Sequence, residues 1–417
     1  MFSIENILNT FVTKYQTEKM EELLDFQANI FRQTTETWYR YLLDNLESEE
    51  RLLGLKGLRG VGKTTLLIQF AKFRYAEKTK VLYVTADHPY FYSNTLFDLA
   101  SLWNKNDGKL LMIDEVHKYP NWSRELKLIN DGFPALQVFF TSSSALDLYR
   151  GESDISRRLA VQNLEGLSFR EYLNFFEGHD FKPLTLAEIL KDHVSLAQEI
   201  TKDFHPLPSF KSYLSSGYFP FAKNLKTTAV PARIIQTLNT VLETDLAFAQ
   251  DYSAGNVAKV KRLLGVIAAS VPFTPNISTI AEKLGLSRNT VYMYLRHLED
   301  AKIIRIVNRP DKNLGSLQKP DKIYFENPNF AYALQPDANI GAVRETFFAN
   351  QIANATKAVH LSEKGDFLVE NQFIFEIGGA KKSFDQIKDL PESFIAADEI
   401  EIGFGNKIPL WLFGFLY

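Results

Sequence analysis

The sequence predicts an α/β chain: a parallel sheet with a phosphate-binding loop, then a helical lid region, a winged helix and a small α/β domain. Three observations predict it. From Arg51 onward, short apolar runs at 52–55, 81–84, 110–113 and 138–140, with a weaker one near 159–164, alternate with helical stretches, the pattern of a sheet covered on both faces. Gly57-Leu58-Arg59-Gly60-Val61-Gly62-Lys63-Thr64, between the first run and the first helical stretch, fits G-x-x-x-x-G-K-[ST] without deviation. Residues 277–298 read as two helices joined by a glycine turn, and two strand-like runs follow.

Taken in order, residues 1–50 carry apolar positions at helical spacing (Ile4, Ile7, Leu8, Phe11, then Leu23, Leu24, Phe26, Ile30) and predict two helices. Residues 51–180 form the sheet core. Residues 181–257 are the helical lid, punctuated by Pro183, Pro206, Pro208, Gly217 and Pro220. Residues 258–330 hold the winged helix-turn-helix, and 338–417 a helix followed by short strands such as 367–369 and 373–377.

Apolar residues at 45% and charged residues at 23% exclude collagenous, coiled-coil and wholly disordered chains. A net charge of −3 gives no general attraction to nucleic acid or membrane, so any basic surface is local. The absence of cysteine excludes disulfides, thiolate metal sites and cysteine nucleophiles, and fits a cytoplasmic location. Met1-Phe2-Ser3-Ile4-Glu5 does not open a signal peptide, and no apolar run approaches the roughly 20 residues that span a bilayer. No membrane partner is expected.

In the phosphate loop, glycines let backbone N–H groups curl around phosphates, and the following helix, which includes Thr65, adds the positive end of its dipole. Gly57, Arg59, Gly60, Val61, Gly62, Lys63, Thr64 and Thr65 are the nucleotide-binding residues this predicts. Lys63 reaches the β- and γ-phosphates, and the Thr64 hydroxyl holds Mg²⁺. The run Leu110-Leu111-Met112-Ile113 ends in Asp114-Glu115. Strand ends in such sheets face the ligand, which gives Asp114 the orientation of Mg²⁺ and Glu115 the polarisation of the attacking water. The next run ends in Thr141-Ser142-Ser143-Ser144, where Thr141 or Ser142 senses the γ-phosphate and Ser143 or Ser144 caps the next helix. Arg157 and Arg158, after the polar stretch 151–156, are placed to reach a neighbouring subunit's γ-phosphate, which predicts a homo-oligomer.

These stretches resemble the prokaryotic AAA-type ATPases that carry a C-terminal region long labelled as of unknown function. The likeness runs through Gly57–Leu67, Leu110–Trp122, Phe140–Leu146, Leu167–Leu173, Gly217–Pro220 and Arg344–Gln351. It implies ATP binding and an AAA-like core, and supplies no substrate. The chain departs from it at Ser142, where the family usually has glycine.

Gly285 ends one helix of the helix-turn-helix and Ser287 caps the next, Arg288–Leu298, with Ile280, Ala281, Leu284, Val291, Leu295 and Leu298 facing inward. The stretch 277–309 holds six Lys/Arg (Lys283, Arg288, Arg296, Lys302, Arg305, Arg309) against three acids (Glu282, Glu299, Asp300). Arg288, Asn289, Thr290, Tyr292 and Arg296 are the candidate contacts to duplex DNA, a protein partner being the alternative.

Asp366 and Glu376 on successive strands converge as two acids do around Mg²⁺. This resembles the restriction-endonuclease-like core, with Glu345 on the preceding helix and Gln386 on the next. That core carries lysine two residues after the second acid, where this chain has Gly378, so Lys381 or Lys382 would have to swing in. A degenerate domain without cleavage is the reading preferred. Seven histidines show no metal-binding spacing, and His117 beside Glu115 stands behind the site rather than in it.

Together these readings predict a Mg²⁺-dependent ATPase coupling its ATP state to DNA or partner binding. The alternatives are a nucleotide-gated DNA-binding switch with little turnover, and an ATP-dependent nuclease.

Overall fold

The computed structural model describes residues 4–34, 38–46, 49–142, 155, 157–246, 252–270, 274–310, 319–335, 337–355 and 357–417. Ser143, Ser144 and the stretch 151–154 with 156 lie outside the described residues, and with them the helix cap predicted there. The chain divides into two compact units, Met1–Gly57 with Gly62–Leu164, and Leu58–Val61 with Glu165–Tyr417. Among the described residues no helix is long and apolar enough to cross a membrane.

The first unit holds a five-stranded, all-parallel sheet of order β2-β3-β4-β1-β5. Its strands are β1 (Leu52–Lys56), β2 (Val81–Thr85), β3 (Leu110–Asp114), β4 (Gln137–Ser142) and β5 (Ala160–Asn163). β1 and β3 are buried along their whole length, which is why they read as unbroken apolar runs instead of alternating ones. Helices α2 (Lys63–Phe73), α3 (Leu96–Lys105) and α4 (Trp122–Gly132) accompany this sheet. Leu96, Leu99, Trp103, Leu126 and Ile129 of α3 and α4 share one core with Leu82, Ile113 and Phe140 of the strands. Truncating one of these buried leucines to alanine costs about 2–5 kcal/mol. Gly54 in β1 is there for space: a β-carbon would stand 2.8 Å from the Phe140 ring.

The two helices predicted before residue 50 are one, α1 (Ile4–Gln33), followed by a 3₁₀ turn at Tyr41–Leu43. No glycine or proline interrupts residues 4–33, so nothing breaks the backbone hydrogen-bond ladder between the two apolar clusters.

The second unit is mostly helical up to residue 300. It contains a single turn α5 (Phe169–Tyr172), then α6 (Leu186–Thr201), α7 (Pro206–Ser216), α8 (Val230–Thr240) and α9 (Ala254–Ala268). The end of α7 is fixed by buried Asn329, whose amide donates to the Tyr213 and Leu214 carbonyls and whose oxygen accepts from the Tyr218 N–H. Next come α10 (Ile277–Leu284) and α11 (Arg288–Asp300), then the antiparallel pair β6 (Ile304–Val307) and β7 (Lys322–Phe325). Gly285 ends α10 in the left-handed region (φ 62°), and the Ser287 hydroxyl accepts from the Thr290 N–H at 3.1 Å to cap α11. Leu284 is half-buried instead of inward, and α11 runs to Asp300, beyond the last apolar position of its stripe.

Helices α12 (Pro328–Leu334) and α13 (Ile340–Asn354) lead to a second sheet of order β12-β11-β10-β9-β8. β8 (Val359–Leu361), β9 (Phe367–Val369) and β10 (Phe373–Gly378) are antiparallel neighbours, while β11 (Ser393–Ala397) and β12 (Lys407–Pro409) continue parallel to β10.

Candidate nucleotide site

The loop between β1 and α2 needs two left-handed glycines. Gly60 has φ 87°, and Gly62, the residue before α2, has φ 99° and ψ 25°. Neither conformation suits a residue with a β-carbon. Lys63 opens α2 and is buried, its ammonium donating to the Gly57 carbonyl at 2.8 Å. Thr65 is exposed on the same first turn, and Val61 is buried. Within the second unit, Arg59 pairs with the buried Asp245 carboxylate at 3.3 Å, and a β-carbon on Gly60 would stand 2.9 Å from the Phe221 ring.

Asp114 ends β3 buried, with a full set of hydroxyl donors. Thr64 Oγ1 donates to its Oδ2 at 2.7 Å and Tyr83 Oη to the same oxygen at 2.9 Å, while Thr141 Oγ1 donates to Oδ1. Thr141 Oγ1 in turn accepts from the Glu115 N–H at 2.9 Å. The Tyr83 phenol is held well above its usual range, by burial first and then by the Asp114 carboxylate, so it stays a donor.

Glu115 follows in the left-handed region (φ 53°), an uncommon conformation for a non-glycine residue that costs of order 1–3 kcal/mol. Its Oε2 lies 3.3 Å from Lys118 Nζ and 3.8 Å from His117 Nε2. Lys118 also reaches Asp87 at 2.6 Å. Burial works against the Lys118 ammonium, but Asp87 and Glu115 outweigh it and raise its pKa. His117 Nδ1 stands 3.5 Å from Ser142 Oγ, so the buried imidazole lies between the end of β4 and Glu115. The structure therefore brings Lys63, Thr64, Asp114, Glu115, Thr141 and Ser142 to the carboxyl ends of β1, β3 and β4. Tyr83 and Lys118 went unassigned in the sequence; the one signal was a tyrosine inside an apolar strand, whose hydroxyl needs a partner when buried.

Arg157 and Arg158 are not brought to this site. They precede β5, which runs parallel to β1, and so stand at the opposite end of the sheet, exposed and beside Glu49, Glu50, Arg51 and Asn130. Arg158 Nε donates to Asp131 at 2.8 Å.

In the second unit, Arg288, Asn289 and Arg296 are exposed on α11, whereas Tyr292 is half-buried and the Thr290 hydroxyl is engaged with Ser287 at 2.9 Å. Asp366 lies just before β9 and accepts from the Ile377 N–H at 2.7 Å. Burial, and then the nearby Glu345, push its carboxyl up to about 6. Glu345 accepts from Lys322 at 2.6 Å and from Tyr324 at 2.7 Å, and Glu376 is paired with Lys382. Lys382 does swing in, across Gly378, where a β-carbon would meet its side chain at 2.8 Å. Gln386 is on a turn, not the helix expected, with its amide 3.0 Å from Glu376 Oε1. The backbone bonds there, Ile387 N–H to the Phe384 carbonyl and Leu390 N–H to the Ile387 carbonyl, close three-residue turns, and Pro391 follows. Among the described residues, no group of three or more His, Cys, Asp or Glu is arranged to hold a metal ion.

Comparison with known proteins agrees with the first unit. Residues 49–173 match an AAA domain family, and residues 207–340 match a domain of unknown function. An uncharacterized protein of Methanocaldococcus jannaschii is 24% identical over 95% of this chain and 88% of its own length. Among solved structures, a Walker-type ATPase of Pyrococcus abyssi has 14% identity and a TM-score of 0.44, over 73% of this chain and 99% of that one. AMPPCP-bound DnaA from Aquifex aeolicus has 17% identity and a TM-score of 0.26, over 63% and 85%. Residues 49–173, with their parallel sheet and phosphate loop, are an AAA-type P-loop ATPase-like domain.

Proposed function

We propose that this chain is a Mg²⁺-dependent ATPase that couples its nucleotide state to binding of duplex DNA or a protein partner through residues 258–330. The observation that carries the reading is the meeting of Thr64, Asp114 and Thr141 at one carboxylate, with Glu115 next in the chain. The Thr64 hydroxyl and the Asp114 carboxylate are the hard oxygen donors Mg²⁺ takes. Bound there, the ion would offset charge on the β- and γ-phosphates. Lys63, released from the Gly57 carbonyl, donates to a phosphate oxygen. Backbone N–H groups of the loop and the first turn of α2 face the rest of the phosphate chain. Glu115 orients a water and takes its proton as the oxygen attacks the γ-phosphorus and ADP leaves. Thr141 holds Asp114 and the Glu115 backbone in register.

Arg157 and Arg158, at the far end of the sheet, would serve a neighbouring copy in a homo-oligomer. The basic face of α11, with Arg288, Asn289 and Arg296, is the surface offered to duplex DNA. The segment 338–417 is read as a domain kept for binding, because Lys382 and Lys322 already engage Glu376 and Glu345. A switch with slow turnover is the second reading, favoured by the Lys118–Glu115 contact at 3.3 Å, which already engages that carboxylate. The deciding experiment is ATP turnover with and without duplex DNA. A Mg²⁺-dependent rate above background supports the ATPase; tight nucleotide binding without turnover leaves the switch.

A further inference from the structure

We infer that Tyr83 is a positioning residue for Asp114, and that helix α1 is the element that holds Tyr83 in place. The inference rests on the ATPase reading and deepens it. β2 is an edge strand of the first sheet, and an edge leaves N–H and C=O groups without strand partners. Gln27 of α1 fills that edge: its amide nitrogen donates to the Val81 carbonyl at 3.2 Å and its amide oxygen accepts from the Tyr83 N–H. One side chain thus does for β2 what a neighbouring strand would do. Phe26 and Phe31 of the same helix set their rings against the Tyr83 ring, at centroid distances of 6.4 and 6.5 Å. Lys72 of α2 ties the other side, donating to the Phe31 and Thr34 carbonyls at the end of α1.

α1 is therefore fastened to the two elements that deliver the site, α2 with Thr64 and β2 with Tyr83. The Tyr83 hydroxyl donates to the same Asp114 oxygen that receives Thr64. Two donors fix where Oδ2 stands, and Thr141 fixes Oδ1, so the carboxylate cannot turn about its terminal bond. Removing one such outer hydrogen bond typically weakens metal binding about 10–100-fold.

The test uses the full chain, Tyr83→Phe and Gln27→Ala. Tyr83→Phe keeps the ring between Phe26 and Phe31 and removes only the hydroxyl; Gln27→Ala touches nothing in the site. A fluorescent ADP is titrated first in EDTA and then at increasing Mg²⁺, and turnover is followed over the same Mg²⁺ range. Affinity in EDTA should stay within about twofold of the native chain in both variants. The Mg²⁺ concentration for half-maximal tightening should rise about tenfold in Tyr83→Phe and about threefold in Gln27→Ala, with kcat at saturating Mg²⁺ nearly unchanged. A Tyr83→Phe curve that superimposes on the native one overturns the inference. A shift in Tyr83→Phe with none in Gln27→Ala overturns the part assigned to α1. If Mg²⁺ neither tightens ADP nor supports turnover in the native chain, the ATPase reading itself fails, and the inference with it.

Discussion

Thr64 and Asp114 are fifty residues apart in the chain and 2.7 Å apart at Oγ1 and Oδ2. One sits in the first turn of the helix after β1, the other closes β3, and β4 lies between those strands in the sheet. The contact exists because both strands are parallel and end on the same side, which also delivers Thr141 to the other oxygen of the carboxylate.

Glu115→Gln should abolish most turnover and spare binding. Loss of the proton acceptor is expected to lower kcat by at least about 10²-fold, with ATP affinity within about threefold. Steady-state rates beside fluorescent-nucleotide titration check this, and native turnover in the variant would move the proton acceptor elsewhere.

Glu299 should make stability fall as pH rises. Burial first, then the charges of Asp300 and Glu326, push its carboxyl up to about 7 from an ordinary 4.5, despite the Ile306 N–H and Arg305. The folded chain thus binds this proton more tightly than the unfolded one. The stabilisation is complete below about pH 4.5 and lost as pH passes 7. Glu299→Gln, still able to accept from Ile306, should flatten the curve in that window and stabilise the chain above pH 7 by about 1–3 kcal/mol. Urea melts at pH 5 and pH 8 measure it.

Glu326→Gln should destabilise the second unit by about 3–5 kcal/mol. Glu326 is 2% exposed and paired with Arg305, which also reaches Asn354 at 3.2 Å. Removing one charge strands the other in a buried place, whereas Arg305→Met with Glu326→Leu should recover much of the loss. Denaturation of the two variants decides whether charge pairing or packing carries the site.

Duplex DNA affinity should fall with salt, and the slope should record α11. Each exposed arginine that neutralises a phosphate adds about 0.9 to the slope of log affinity against log salt. Arg288→Ala with Arg296→Ala should lower it by up to about two, measured by fluorescence anisotropy between 50 and 200 mM salt. An unchanged slope would leave α11 to a protein partner.

Local pattern was enough for much of this. The loop and the acids ending β3 are legible because a phosphate cradle and a strand end are built from neighbouring residues. Strand positions were legible because burial on both faces leaves unbroken apolar runs. The single α1 was missed because two apolar clusters look like two helices unless the lack of a breaker between them is given weight. Arg157 and Arg158 precede β5, and because β5 runs parallel to β1 they lie at the end of the sheet away from Asp114.

By itself, the sequence determined the loop, its lysine and threonine, the Asp114-Glu115 pair and the caps at Gly285 and Ser287, all set by contacts within a few residues. Tertiary structure alone decided that Tyr83 and Thr141 hold Asp114, that His117 meets Ser142 of β4, and that Gln27 seals the edge of β2. Those partners come from separate strands and helices. Only the packing of the sheet, with its strand order and common direction, sets which distant side chains share a hydrogen bond.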